Sequence, residues 1–166
     1  MPSNEILISN IGSALNQGGL CLDFTKGECH EVKNGLCLLD SVESKEDIFK
    51  LPGDKGETDE SSPEYCPGLA KMLLRGQIGT EDLLCYFYEK CGHYALDEGQ
   101  HRACILLRTY EIGLSLEKEV IVKVFDSYCP RCLRQNGLGE ICVLKISKRR
   151  ETRRVRDEHY IVGGLE

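Results

Sequence analysis

Apolar positions in the first part of the chain recur at helical spacing. Leu7, Ile11 and Leu15 stand four apart, Ser3 can cap them, Glu5 falls in the first turn, and Asn16-Gln17-Gly18-Gly19 ends the run. That pattern predicts an opening helix. Residues 20–51 are mixed around the turn signal Asn34-Gly35 and predict short helices or irregular structure. Pro67 suits a first helical turn, and Leu69, Met72 and Leu73 form an apolar face before Gly76. Thr80 can cap a further helix with Glu81 and Asp82 at its positive end. Leu83, Leu84, Phe87, Tyr88 and Cys91 would then share one face, read as core rather than as a binding surface.

The period changes after residue 101. Val120, Val122 and Val124 alternate with other residues, as do Cys142, Leu144 and Ile146, and both runs predict strands. Asn136-Gly137 between them can supply a turn. Residues 53–64 are polar and acidic, and read as a surface loop or an acidic docking segment. The expected fold class is therefore α+β. A helical N-terminal domain (1–98) with an acidic loop (53–64) precedes a small β domain (99–166).

Charge sharpens that division. The net charge of −6 is an average over unlike halves. Residues 1–100 carry 8 Lys/Arg and 18 Asp/Glu, whereas 101–166 carry 13 and 9. Between Lys145 and Arg156, seven basic residues face Glu151 alone. No apolar run approaches the ~18 residues of a membrane span, and Met-Pro-Ser-Asn-Glu lacks the basic start of a secretory signal. Ten cysteines in a chain of 166 residues therefore read as metal ligands, catalytic groups or core residues of a reduced cytoplasmic protein, with the nucleus as a second location.

The strongest chemical signal is His101-x2-Cys104, followed at a distance by Cys129-Pro130-Arg131-Cys132. Two residues between donors let a tight knuckle aim both at one ion, and two knuckles complete a tetrahedral Zn²⁺ site. The expected metal ligands are His101, Cys104, Cys129 and Cys132, with Cys91 or His93 next in line should His101 fail. Four protein ligands leave no open position, so the zinc would be structural. A lone Cys-x2-Cys also suits a redox dithiol, which would carry no metal.

Cys21, Cys29, His30 and Cys37 are close in sequence without knuckle spacing, and Cys66, Cys85, Cys91 and Cys142 fall in apolar contexts. The cysteines among them are expected to be core thiols, with a second zinc site at Cys21, Cys29, His30 and Cys37 as the alternative. No phosphate-binding glycine loop, His-Glu-x-x-His or Gly-x-Ser-x-Gly occurs. Cysteine and histidine can assemble a nucleophilic site in space, but no sequence signature marks one. The expectation is a protein without catalytic residues.

Several segments resemble the regulatory beta subunit of casein kinase II. Ile112-Gly113-Leu114-Ser115 is similar to that family's Ile-Gly-Leu-Ser segment. Tyr128-Cys129-Pro130-Arg131-Cys132 is similar to its second zinc knuckle. Ala70-Lys71-Met72-Leu73 and Ile8-Ser9, Asn16 and Cys21 are similar to its helix and its opening. The resemblance implies a helical domain, a zinc ribbon forming a homodimer, and a kinase catalytic subunit as partner. It departs where His101 stands shifted from the family's first zinc cysteine, and where the basic run replaces the aromatic, glycine-rich segment after the knuckle.

The alternative is a ribosome- or RNA-associated factor on the same scaffold. Arg131, Arg134, Lys145, Lys148, Arg149, Arg150, Arg153, Arg154 and Arg156 would then contact phosphates.

Overall fold

A computed structural model describes residues 4–23, 27–53, 58–114, 116, 118–129 and 132, with the strands at 142–145, 152–155 and 159–162. Its strands are β1 (Asn4–Ile8), β2 (Leu20–Asp23), β3 (Leu84–Tyr88), β4 (His93–Glu98), β5 (Val120–Phe125), β6 (Cys142–Lys145), β7 (Thr152–Val155) and β8 (His159–Val162). They form one mixed sheet in the order β1-β5-β3-β4-β2-β6-β8-β7. The alternating valines of β5 bury Val120 and Val122 on one face and leave Ile121 exposed on the other. β5 pairs antiparallel with β1, from Asn4↔Val124 to Ile8↔Val120, and parallel with β3, from Cys85↔Val122 to Tyr88↔Phe125. β3 and β4 make a hairpin, and β2 runs parallel to β4 with Cys21 opposite Ala95.

The helices are α1 (Ile11–Gly18), α2 (His30–Asn34), α3 (Lys45–Lys50), α4 (Tyr65–Leu74) and α5 (Gln100–Glu111). Ile11 and Leu15 of α1 pack with Ala103, Leu106 and Leu107 of α5 against Leu20, Leu22, Cys85, Tyr94, Leu96, Val120 and Val122 of the sheet. Each fully buried leucine or isoleucine there contributes about 1.5–3 kcal/mol. Gly12 permits the close approach of the two helices, since a Cβ on it would lie 2.7 Å from the Leu106 carbonyl oxygen. A second cluster joins Ile105 of α5 to Ile48, Ala70 and Leu73 of α3 and α4, and to Leu39 and Val42. Arg108 ties it together by donating to the carbonyls of Leu39 (2.8 Å), Asp40 (2.9 Å) and Val42 (2.7 Å).

The α+β class, the helix after Glu64 and strands β5 and β6 match the sequence pattern. The helical N-terminal domain does not, because four strands, β1 to β4, lie within residues 1–98. Ile6-Leu7-Ile8 and Leu84-Cys85-Tyr86-Phe87-Tyr88 are rich in residues that suit a pleated surface. β5 supplies backbone hydrogen bonds to both, and this pairing overrides the apparent helical period. The first helix starts later, with Asn10 Oδ1 accepting from the Ser13 amide at 3.0 Å. Thr80 caps nothing; its hydroxyl donates to the Glu119 carbonyl at 2.9 Å.

Residues 100–111 are helical, so His101 and Cys104 lie on one helical turn and form no knuckle. β5 lies between β1 and β3, and β6 beside β2. A division at 98/99 would therefore cut a single sheet. Asn136-Gly137 falls outside the described residues. No described helix is long and apolar enough to cross a membrane.

Candidate metal centre

Parallel strands β3 and β5 end side by side, at Tyr88 and Phe125. The four-residue loop that turns β3 into β4 then stays attached to the chain leaving β5. The Glu89 amide donates to the Phe125 carbonyl (2.9 Å) and the Lys90 amide to the Ser127 carbonyl (3.1 Å). Gly92 closes the loop in the left-handed region, φ 72°, with its amide on the Tyr88 carbonyl at 2.8 Å. Cys91 lies at the loop tip and His93 opens β4, while Cys129 and Cys132 follow β5. Two segments distant in sequence thus converge because parallel pairing aligns their ends.

The ligand atoms of Cys91, His93, Cys129 and Cys132 all lie within 4.8 Å of one another. His93 Nδ1 is 3.5 Å from Cys129 Sγ and 3.4 Å from Cys132 Sγ. A tetrahedral ion bonded at about 2.3 Å to sulfur and about 2.0–2.1 Å to nitrogen would hold such atoms about 3.6 Å apart. The side chains are therefore already spaced for a common ion. Cys129 is fully buried and His93 is buried. The Cys129 amide donates to Cys91 Sγ at 3.3 Å, an outer-shell contact that orients a thiolate ligand.

The centre sits on the sheet face away from α1 and α5. Tyr94 and Leu96 of β4 belong to the helix-facing core, so His93 and Ala95 point the other way. Cys21, paired with Ala95, shares that second face and packs against Cys129. A hydrogen bond from Cys21, and then one from His93, pull the Cys129 thiol well below its ordinary range. Burial, and then the charge on Cys129, push Cys132 up. One negative charge is accommodated readily here, and a second needs a cation.

The sequence-predicted ligands divide. Cys129 and Cys132 are in the cluster, and the reserve pair Cys91 and His93 completes it. His101 and Cys104 are not in it. Both ring nitrogens of His101 are engaged elsewhere, Nδ1 with Cys66 Sγ (3.4 Å) and Nε2 with Glu60 Oε2 (3.0 Å). Cys104 packs beside the core between α1 and α5. The x2 spacing fits a helical turn as well as a knuckle, whereas Cys91-x-His93 lacks the x2 spacing of a knuckle.

Cys21, Cys29, His30 and Cys37 do not assemble. Cys21 adjoins Cys129, Cys29 is in the main core, His30 contacts Ser61 and Asn34, and Cys37 lies near Glu31 and Asp40. Arg131, Arg134, Lys148, Arg149, Arg150 and Arg156 lie outside the described residues. Lys145 belongs to β6, and Arg153 and Arg154 to β7, the strand at the end of the sheet.

Comparison of the chain with protein-family models, with curated proteins and with solved structures returns no match.

Proposed function

We propose that the protein is a zinc-stapled interaction protein whose metal holds structure and does no chemistry. One observation carries this reading: three thiols and an imidazole, from two segments joined by parallel pairing, meet within 4.8 Å. Mixed sulfur and nitrogen donors suit Zn²⁺, and a closed set of four leaves no place for a reacting water. The ion would tie the β3–β4 loop to the chain leaving β5, and so hold the sheet face opposite the helices. Metal analysis of the purified chain is the test: about one zinc per chain is expected. A metal-free chain with a reversible Cys129–Cys132 disulfide would instead mark a redox dithiol.

On this reading the protein acts by binding. The partner implied by the segments around Ile112–Leu114 and Cys129–Cys132 is a protein kinase catalytic subunit, with the beta subunit of casein kinase II as the analogue. A second reading is favoured by the basic run 145–156, part of which lies on β7 at the end of the sheet. That run would bind ribosomal or other RNA through phosphates, and binding would weaken steeply with salt. Tagged purification with mass spectrometry separates the two. A copurifying kinase catalytic subunit supports the first reading, and salt-sensitive sedimentation with ribosomes supports the second.

A further inference from the structure

Away from the metal cluster, the structure assembles a second set of reactive side chains. Cys66 is the second residue of α4, a helix of ten residues. Its Sγ lies 3.4 Å from His101 Nδ1, and His101 Nε2 lies 3.0 Å from Glu60 Oε2. The chain of contacts is thiol, imidazole, carboxylate: a nucleophile, a base that touches it, and a group that orients the base through its other nitrogen. With Nε2 donating to Glu60, Nδ1 is left as the acceptor facing the thiol. His101 is buried, its ring packed edge-on at 4.9 Å against Tyr65.

A cavity of about 290 Å³ opens beside two of the three, with Glu60, His101 and Tyr65 in its wall; Cys66 is not a wall residue and adjoins the cavity through its contact with His101. Glu28, Asp97 and Glu98 also line it. Among the described wall residues the Lys/Arg group is Arg102 alone, and it is bound to Asp82 through two hydrogen bonds (2.6 and 3.1 Å) and to the Gly79 carbonyl (3.0 Å). The cavity is therefore strongly acidic, and its size suits one side chain rather than a large ligand.

We propose that Cys66, His101 and Glu60 form a thiol acyl-transfer site for amides or esters whose acyl side carries a cationic group such as guanidinium. In the first step His101 Nδ1 takes the Cys66 proton. Sγ bonds to the carbonyl carbon, and the carbonyl π pair moves to oxygen. Collapse breaks the bond to the leaving nitrogen or oxygen, which departs with its electron pair and receives the proton from His101. Water then adds to the thioester as His101 takes its proton, the C–S bond breaks, and Cys66 is reprotonated.

The test uses the full chain in its metal-loaded form. Peptide mapping follows iodoacetamide alkylation of each cysteine across pH, and hydrolysis of acetyl-arginine 4-nitroanilide is compared with the leucine analogue. Cys66 should be alkylated at least ~10-fold faster than the other accessible thiols at neutral pH. His101→Asn should abolish that excess. Glu60→Gln, at a half-exposed position, should reduce it and move the pH profile. The arginine anilide should be cleaved in preference to the leucine analogue, and Cys66→Ser should stop cleavage.

Ordinary reactivity at Cys66, or a pH profile unchanged in Glu60→Gln, would overturn the proposal. A reactive Cys66 that cleaves neither anilide would overturn acyl transfer. Equal cleavage of the two would overturn the cationic specificity. Metal content and circular dichroism of each variant report folding separately, so failure here is distinguishable from failure of the zinc reading.

Discussion

Chelation should destabilise the protein by an amount that follows from where the metal ligands sit. His93 and Cys129 are 36 positions apart, and a common ion closes the intervening chain into a loop. In the chain-entropy picture, cross-linking a loop of that length removes disorder from the unfolded state worth about 4 kcal/mol. For a domain of this size each kcal/mol corresponds to roughly 2–4 °C in Tm, so loss of the ion should lower Tm by roughly 8–16 °C.

Lost coordination adds to this, because unfolded thiols bind the metal poorly. Calorimetry before and after dialysis against a chelator, with a third scan after zinc is restored, measures the effect. A metal-free chain melting within about 2 °C of the loaded one would refute the staple, as would Cys129→Ser retaining a full equivalent of zinc.

Other perturbations address the frame around the centre. Arg108→Met removes three hydrogen bonds from a charged donor to the carbonyls of Leu39, Asp40 and Val42. It should cost roughly 3–5 kcal/mol in urea unfolding, and a loss under about 1 kcal/mol would show that those carbonyls find other donors. Gly99→Ala puts a Cβ where φ is +86° and against Leu83 Cδ2, so about 1–3 kcal/mol should be lost by the same measurement. The Asp82 carboxyl is held below its ordinary value of 3.8, chiefly by the hydrogen bond from Arg102. Its contribution is present above that value and disappears as pH falls through the lowered one. Asp82→Asn should therefore lower Tm at neutral pH and converge with the unsubstituted protein in strong acid.

Near neighbours along the chain specify part of this architecture. The helix Tyr65–Leu74 follows from the Pro67 turn and the apolar face before Gly76. The alternating valines specify β5. Cys129-x2-Cys132 marks half of a candidate metal site, because two donors at that spacing can meet one ion in a single turn of chain.

Partners distant in sequence specify the rest. Leu84–Tyr88 has both a helical period and strand-forming residues, and it is a strand because β5 and β4 bond it on either side. The other half of the Cys/His cluster is Cys91-Gly92-His93 rather than His101 and Cys104, since parallel pairing of β3 with β5 carries the β3–β4 loop to Cys129. The x2 spacing of His101 and Cys104 is also one helical turn, and the helix puts His101 between Cys66 and Glu60. Those three residues are spread over forty-two positions, from 60 to 101. Local pattern has no signal across such a separation, and burial and backbone pairing set which donors meet.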